Sequence, residues 1–104
     1  MRAILVLIPI FMINPLAQAE ESIEFCESYA GVAEAAMEQR QRNTAMTEVM
    51  KAAGYVYGQP LDRVQQIVVE AYKQPRFNTE KNQSQAILEF RRKIEVTCFK
   101  SQIQ

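Results

Sequence analysis

The sequence predicts a small all-α domain of four helices, three long and one short, in an orthogonal or bundle-like arrangement. Apolar residues recur at steps of three and four through almost all of the chain after residue 20, which is the spacing of one face of an amphipathic helix. Glycine, proline and asparagine interrupt this pattern at three places, and these residues are typical of helix ends. Four helical segments therefore follow one another along the chain.

Residues 1–19 have the pattern of a secretory signal peptide. Arg2 supplies a positive start, Ala3 to Ile13 is a nearly continuous apolar run, and Ala17 and Ala19 are small residues at the positions that a signal peptidase reads. The apolar run is too short for a transmembrane helix. We therefore expect cleavage after Ala19, a single helical domain at residues 20–104, and a periplasmic or secreted protein without stable membrane insertion.

The chain has two cysteines, Cys26 and Cys98. An exported protein meets an oxidising environment, so we expect the two to form a disulfide; two buried free thiols are the alternative. Because Cys26 lies near the start of the first helix and Cys98 near the end of the last, a bridge requires these helices to be antiparallel. The chain-entropy model assigns about 4 kcal/mol to a bridge that closes so long a loop.

The first helix is predicted from about Ser22, its candidate N-cap, to the segment Arg40–Asn43, where Asn43 can adopt the left-handed conformation that ends a helix. A short second helix begins near Thr44 or Thr47 and ends at Gly54. The inward-facing residues of these two helices are predicted to be Ile23, Cys26, Ala30, Ala33 and Met37, and then Met46, Val49, Met50 and Ala53.

The third helix is predicted to begin at Pro60, where a missing N–H costs nothing, and to end before Pro75. Asn78 or Thr79 is expected to cap the fourth helix. The inward-facing residues of these helices are predicted to be Leu61, Val64, Ile67, Val68, Ala71 and Tyr72, and then Ile87, Phe90, Ile94 and Cys98.

The charges are balanced overall but divided along the chain. Residues 20–60 carry seven acidic and three basic side chains, and residues 61–104 carry five and eight. The small net charge excludes a strong electrostatic attraction to nucleic acid. We expect the two halves to attract each other within the fold, with Glu27, Glu34 and Glu38 of the first helix near the basic segment Arg91–Lys93.

The sequence carries little that is typical of catalysis. It has no histidine, which is the commonest general base, and its three glycines form no phosphate-binding loop. Glu34 and Glu38 have the carboxylates that a glycoside hydrolase needs, but helical carboxylates at this spacing are more often a solvated face. Two thiols without histidine do not complete an ordinary zinc site. We therefore expect a protein that is not an enzyme and has no metal or cofactor.

Four residues form a candidate interaction surface. Tyr55 and Tyr57 lie in the loop after the second helix, and exposed tyrosines are frequent in interfaces; alternatively, they fold back onto the core. Arg76 and Phe77 lie in the corner between the third and fourth helices, where the alternative role is simply to end one helix and begin the next. Met37, Met46 and Met50 can add an adaptable apolar surface, or belong to the core.

The chain resembles a group of small exported all-helical proteins, with two cysteines, from bacteria and their prophages. The resemblance rests on the two cysteines, on Met37–Gln41, on the corner Ala71–Thr79 and on Ala86–Phe90, and it covers most of the mature chain. The group often has glycine where this chain has Asn43, an acceptable exchange at a left-handed helix end. The group has no assigned biochemical function, so the resemblance implies fold and compartment and no catalytic residue.

Two classes of function follow from these observations. The first is a non-enzymatic module that binds an envelope or secreted protein, or that acts under envelope stress in a chaperone-like or inhibitor-like way, as a monomer or weak homo-oligomer. The second is a carrier of a small apolar ligand, with a pocket between helices lined by Val64, Val68, Tyr72 and Phe90. An enzyme ranks third.

Overall fold

The computed structural model describes residues 15–55 and 59–103, and in these residues it contains four α-helices and no strand. The helices are α1 (Pro15–Gln41), α2 (Met46–Ala53), α3 (Leu61–Tyr72) and α4 (Glu80–Ile103). The predicted fold of three long helices and one short helix is confirmed. Most of the predicted signal peptide and the loop residue Tyr57 lie outside the described residues.

Helix α1 begins earlier than predicted. It starts at Pro15 and runs without a break past Ser22, so Ser22 is not its N-cap. Proline suits the first position of a helix because its φ is already helical, and Ala17, Gln18 and Ala19 are all good helix formers. The predicted cleavage point after Ala19 therefore lies within the helix of the uncleaved chain.

The end of α1 is a Schellman motif built on Asn43. Asn43 has φ 64°, the left-handed conformation that the sequence predicts. The N–H of Thr44 donates to Gln39 O at 3.0 Å and the N–H of Asn43 donates to Arg40 O at 3.1 Å, which is the pair of bonds that defines this motif. The chain thus turns sharply into α2.

The remaining helix boundaries agree closely with the sequence. Pro60 precedes the first residue of α3, and Thr79 caps α4, because its Oγ1 accepts the N–H of Asn82 at 3.1 Å. Gly54 follows the last residue of α2. These local signals therefore account for the end of α2 and for the starts of α3 and α4.

The core lies where α1 packs against α3 and α4. Helix α1 contributes several alanines, and short side chains let neighbouring helices approach closely. The buried apolar residues are Cys26, Tyr29, Ala30, Ala33, Ala36, Met37, Ala53, Val64, Ile67, Val68, Ala71, Phe90 and Cys98.

Three residues predicted to face inward are exposed instead. Met46 and Leu61 are the first residues of α2 and α3, whereas Ile23 lies within α1, three residues before its first core residue. The helical period alone does not show that these positions are left uncovered. Met37, in contrast, is fully within the core, and it contributes nothing to an adaptable surface.

A disulfide joins Cys26 and Cys98, with a Cα–Cα distance of 5.6 Å. Both cysteines are buried in the core. The predicted pairing and the antiparallel packing of α1 against α4 are confirmed. Further along the same contact, Arg91 Nη1 donates to Glu34 Oε1. The expected attraction between acidic and basic helices is thus present at Glu34, whereas Glu27 and Glu38 form no ion pair among the described residues.

Loss of the disulfide should destabilise the domain without removing its helices. We expect Cys26→Ser, Cys98→Ser or the double variant to lower the free energy of unfolding by roughly 2 to 4 kcal/mol, because the unfolded chain gains freedom. Each helix retains its own apolar face, so the helical signal in circular dichroism should change little at low temperature. Urea unfolding of oxidised and reduced protein gives the comparison, with reduced wild-type protein as the control that keeps both sulfur atoms. Equal midpoints would contradict this account.

Candidate functional site

An open apolar groove runs between α1 and α2 and is floored by α3. Its volume is about 560 Å³. The lining residues are Ser28, Gly31, Val32, Ala35, Ala36 and Gln39 from α1, Thr44, Glu48, Val49, Ala52 and Ala53 from α2 and the turn before it, and Val64 and Val68 from α3. Because Ser28, Gly31, Ala35 and Ala52 are exposed, the groove is accessible along its length.

Small residues keep the groove open. A Cβ atom placed on Gly31 would have no neighbour within 4 Å, so glycine is not required there by close packing. Ala35 and Ala52 project only a methyl group from the facing helices. The tight Asn43 turn sets the direction of α2, and side chains this short do not fill the space between α1 and α2.

One end of the groove is polar and rigid. Thr44 Oγ1 donates to Gln39 Oε1 at 2.7 Å, and the hydroxyl of Tyr72 donates to Thr44 O at 2.6 Å. The guanidinium of Arg40 lies 5.6 Å from the centre of the Tyr72 ring. Burial raises the pKa of the Tyr72 hydroxyl above its ordinary value of 10.0, and the Arg40 charge opposes part of that rise. The hydroxyl therefore stays protonated and able to donate at neutral pH.

Acidic side chains border the groove. Residues three, four and seven apart share one face of a helix, so Glu24, Glu27 and Glu38 lie along the same edge of α1 as Gly31. Glu48 of α2 lines the opposite wall. Of the cations in α1, α2 and the turn between them, Arg40 faces the Tyr72 ring, Lys51 pairs with Glu48 at 3.8 Å, and Arg42 is exposed. The border is therefore negative overall.

Of the predicted surface residues, Tyr55 lies near this groove in the chain, two residues after Ala53 in its wall. Its side chain is 82% exposed, so the alternative that Tyr55 folds back onto the core is wrong. Tyr57 lies outside the described residues. Tyr55 is thus available for contact at the end of α2.

Arg76 and Phe77 are held in a hydrogen-bonded corner, away from Tyr55 in the sequence and in the fold. Arg76 Nε donates to Gln41 O at 3.0 Å, and the N–H of Phe77 donates to Gln41 Oε1 at 2.8 Å. Gln83 Nε2 donates to Phe77 O at 2.8 Å. These contacts support the alternative role of the segment as a helix stop followed by a helix start.

Gln41 is the residue that the sequence did not single out. It is 3% exposed, and its Nε2 also donates to Pro75 O at 2.9 Å, so both ends of its amide are used. Beside it, Arg40 Nε donates to Gln74 O at 2.9 Å. A glutamine in a helix with several other polar residues carries no distinguishing signal, because its importance depends on a loop more than thirty positions away.

The pocket predicted for an apolar ligand is only partly matched. Val64 and Val68 form the floor of the groove, but Tyr72 and Phe90 do not line it. Phe90 lies in the core between α1 and α4, on the other side of α1, and Tyr72 closes the polar end through Thr44. A second groove of about 460 Å³ lies between α3 and α4 beside the disulfide, and its lining includes Arg63, Glu70 and Ser101.

The described part of the chain contains no group of three or more His, Cys, Asp or Glu side chains that could hold a metal ion. Within the same residues, no helix is long and apolar enough to cross a membrane. Comparison of the chain with family models, with curated proteins and with solved structures gave no match. The geometry of the groove is therefore the feature of the molecule that bears on its function.

Replacing Gln41 should weaken the corner between α3 and α4. We expect Gln41→Ala to lower the free energy of unfolding by about 2 to 3 kcal/mol, because it leaves the N–H of Phe77 and the carbonyl of Pro75 without their partner. Gln66→Ala is the matched control at an exposed helical position, and it should change stability by less than about 0.5 kcal/mol. Urea midpoints at constant m value measure both. Equal losses for the two variants would show that the Gln41 bonds contribute no more than an exposed glutamine.

Proposed function

We propose that this protein is a non-enzymatic exported protein that binds a segment of another envelope or secreted protein in the groove between α1 and α2. The observation that carries this proposal is the open apolar groove itself. Its walls expose Gly31, Ala35 and Ala52 beside the partly buried Val32 and Val49. A bound helix or extended segment would bury them, with Tyr55 as an aromatic contact at the edge.

The proposed export rests on the predicted signal peptide at residues 1–19 and on the disulfide. A buried disulfide is compatible with an oxidising compartment, and residues 1–19 have the pattern of a cleaved signal peptide. A module of this kind also suits a chaperone-like or inhibitor-like role in the envelope. In such a role, a small stable scaffold presents one apolar surface to a client protein.

The mass of the processed protein tests whether the chain is cleaved and exported. We expect the intact mass of the exported protein to correspond to Glu20–Gln104 less two hydrogens, because cleavage follows Ala19 and the two thiols are oxidised. Mass spectrometry of the protein from periplasm and culture medium measures this, and a thiol-reactive reagent on the native protein is the control. Retention of residues 1–19, or labelling of Cys26, would contradict the export step.

A carrier of a small apolar ligand is the second candidate, and the volume of the groove favours it. About 560 Å³ falls within the range of ligand pockets. Such pockets, however, usually enclose most of the ligand, whereas this groove is open along α1. Native mass spectrometry of the purified protein distinguishes the two candidates, since a carrier should retain a lipid or metabolite of constant mass.

Filling the groove should abolish binding of the partner while leaving the fold intact. We expect Ala35→Leu to change stability by less than about 0.5 kcal/mol, because Ala35 is exposed, and to prevent capture of the partner from periplasmic extract. The matched control is Ser101→Leu, which places the same side chain at an exposed helical position in the second groove. Tyr55→Ser should weaken capture with little change in melting temperature.

A protein that the wild-type and Ser101→Leu baits capture, and that the Ala35→Leu bait does not, would identify the groove as the binding site. The same set of captured proteins with all three baits would refute the groove as the binding site. Loss of stability in Ala35→Leu would instead mean that α1 and α2 pack too closely at this position to accept a larger side chain.

A further inference from the structure

The outer face of α4 is apolar and basic, and it is not covered in this chain. It comprises Lys81, Gln85, Leu88, Arg92 and Val96, which recur at steps of three and four on one side of the helix. All five residues are exposed, and Leu88 and Val96 are 57% and 48% exposed. Leu88 and Val96 are therefore two apolar side chains on one face, with the exposed Lys81 and Arg92 beside them and the partly buried Glu95 at its edge.

This face cannot reach the acidic groove of its own chain. Helix α4 packs on α1 through the opposite side, where Phe90 and Cys98 are buried. The ion pair between α1 and α4 joins Glu34 and Arg91, and it uses neither the glutamates that border the groove nor Arg92. The opposite charges of the two halves are thus left on separate outer surfaces of the molecule.

The two surfaces match in length as well as in charge. Leu88 and Val96 are eight residues apart, about 12 Å along a helix, and Ser28 and Ala35 are seven residues apart, about 10 Å. Small side chains at Ser28, Gly31 and Ala35 let another helix approach closely. Arg92, midway between Leu88 and Val96, would then lie against the border that carries Glu24, Glu27 and Glu38.

We propose that the groove between α1 and α2 receives the outer face of α4 from a second copy of this chain. The proposal rests on the proposed function, since it uses the same groove, and it names the occupant when no other partner is bound. The contact joins two different surfaces, so it is heterologous and each copy can engage two others. Because its charges lie at the exposed border, the association is weakened by salt.

Sedimentation velocity of the oxidised mature protein, from about 1 µM to about 1 mM, tests this proposal. We expect the average mass of the wild-type protein to rise with concentration beyond that of a dimer, and to fall when salt is added. Arg92→Glu and Glu27→Arg should each weaken association by about tenfold or more, because each places like charges across the contact. Arg63→Glu, an exposed reversal on α3 away from both surfaces, should associate like wild type.

Mixing the two charge-reversal variants gives the decisive measurement. Arg92→Glu keeps an intact groove, and Glu27→Arg keeps an intact α4 face, so one contact in the mixture has both wild-type surfaces. We expect association to be restored in the mixture where each variant alone is monomeric, because the second contact, between the two altered surfaces, again joins opposite charges. Circular dichroism and melting temperature should be unchanged for all variants, since the altered residues are exposed.

A wild-type protein that remains monomeric throughout would overturn the proposal, as would association that Arg92→Glu and Glu27→Arg leave unaltered. These outcomes are separable from the proposed function. If Ala35→Leu still loses a captured envelope protein while wild type is monomeric, only the second copy is excluded as occupant. If the charge variants behave as expected while Ala35→Leu captures the same proteins as wild type, only the foreign partner is excluded.

Discussion

The disulfide between Cys26 and Cys98 is the constraint on which the rest of this structure depends. It holds the N-terminal half of α1 against the C-terminal part of α4, and both sulfur atoms lie within the core. A domain of this size buries too little apolar surface to be comfortably stable on its own. The bridge compensates by restricting the unfolded chain, and it aligns the largest helix pair of the fold.

The opposite end of the same helix pair is held by hydrogen bonds instead. Gln41, in the last turn of α1, binds the corner before α4 through both ends of its side-chain amide. The next residues form the left-handed turn at Asn43. One short segment therefore determines where α1 ends, where α2 begins and how the chain enters α4. Arg76 and Phe77 belong to this corner, and their hydrogen bonds join it to Gln41.

The groove exists because α1 packs against α2, α3 and α4 through different sides. Its alanine-rich side lets α3 and α4 pack closely, whereas Gly31 and Ala35 on another side are too small to fill the space toward α2. Apart from the Glu34–Arg91 pair between the two helices, the charges follow the same division, with Glu24, Glu27 and Glu38 of α1 on the free edge and Lys81 and Arg92 of α4 on its outer face. Both outer sides of the α1–α4 pair therefore expose apolar surface together with charged side chains. The proposed interactions at the groove and along α4 depend on that coincidence.

The sequence by itself determined the elements of this protein. Four helices, the left-handed Asn43 and the Thr79 cap follow from local patterns, because caps, turns and helical periods act over a few residues. The Cys26–Cys98 bridge follows from the chain having only these two cysteines. Only the tertiary structure decided which surfaces remained free. The groove, the burial of Gln41 and the exposure of Met46 and Leu61 depend on how distant helices approach one another. The period of a helix shows which residues share a face, and the packing of its neighbours determines whether that face is covered.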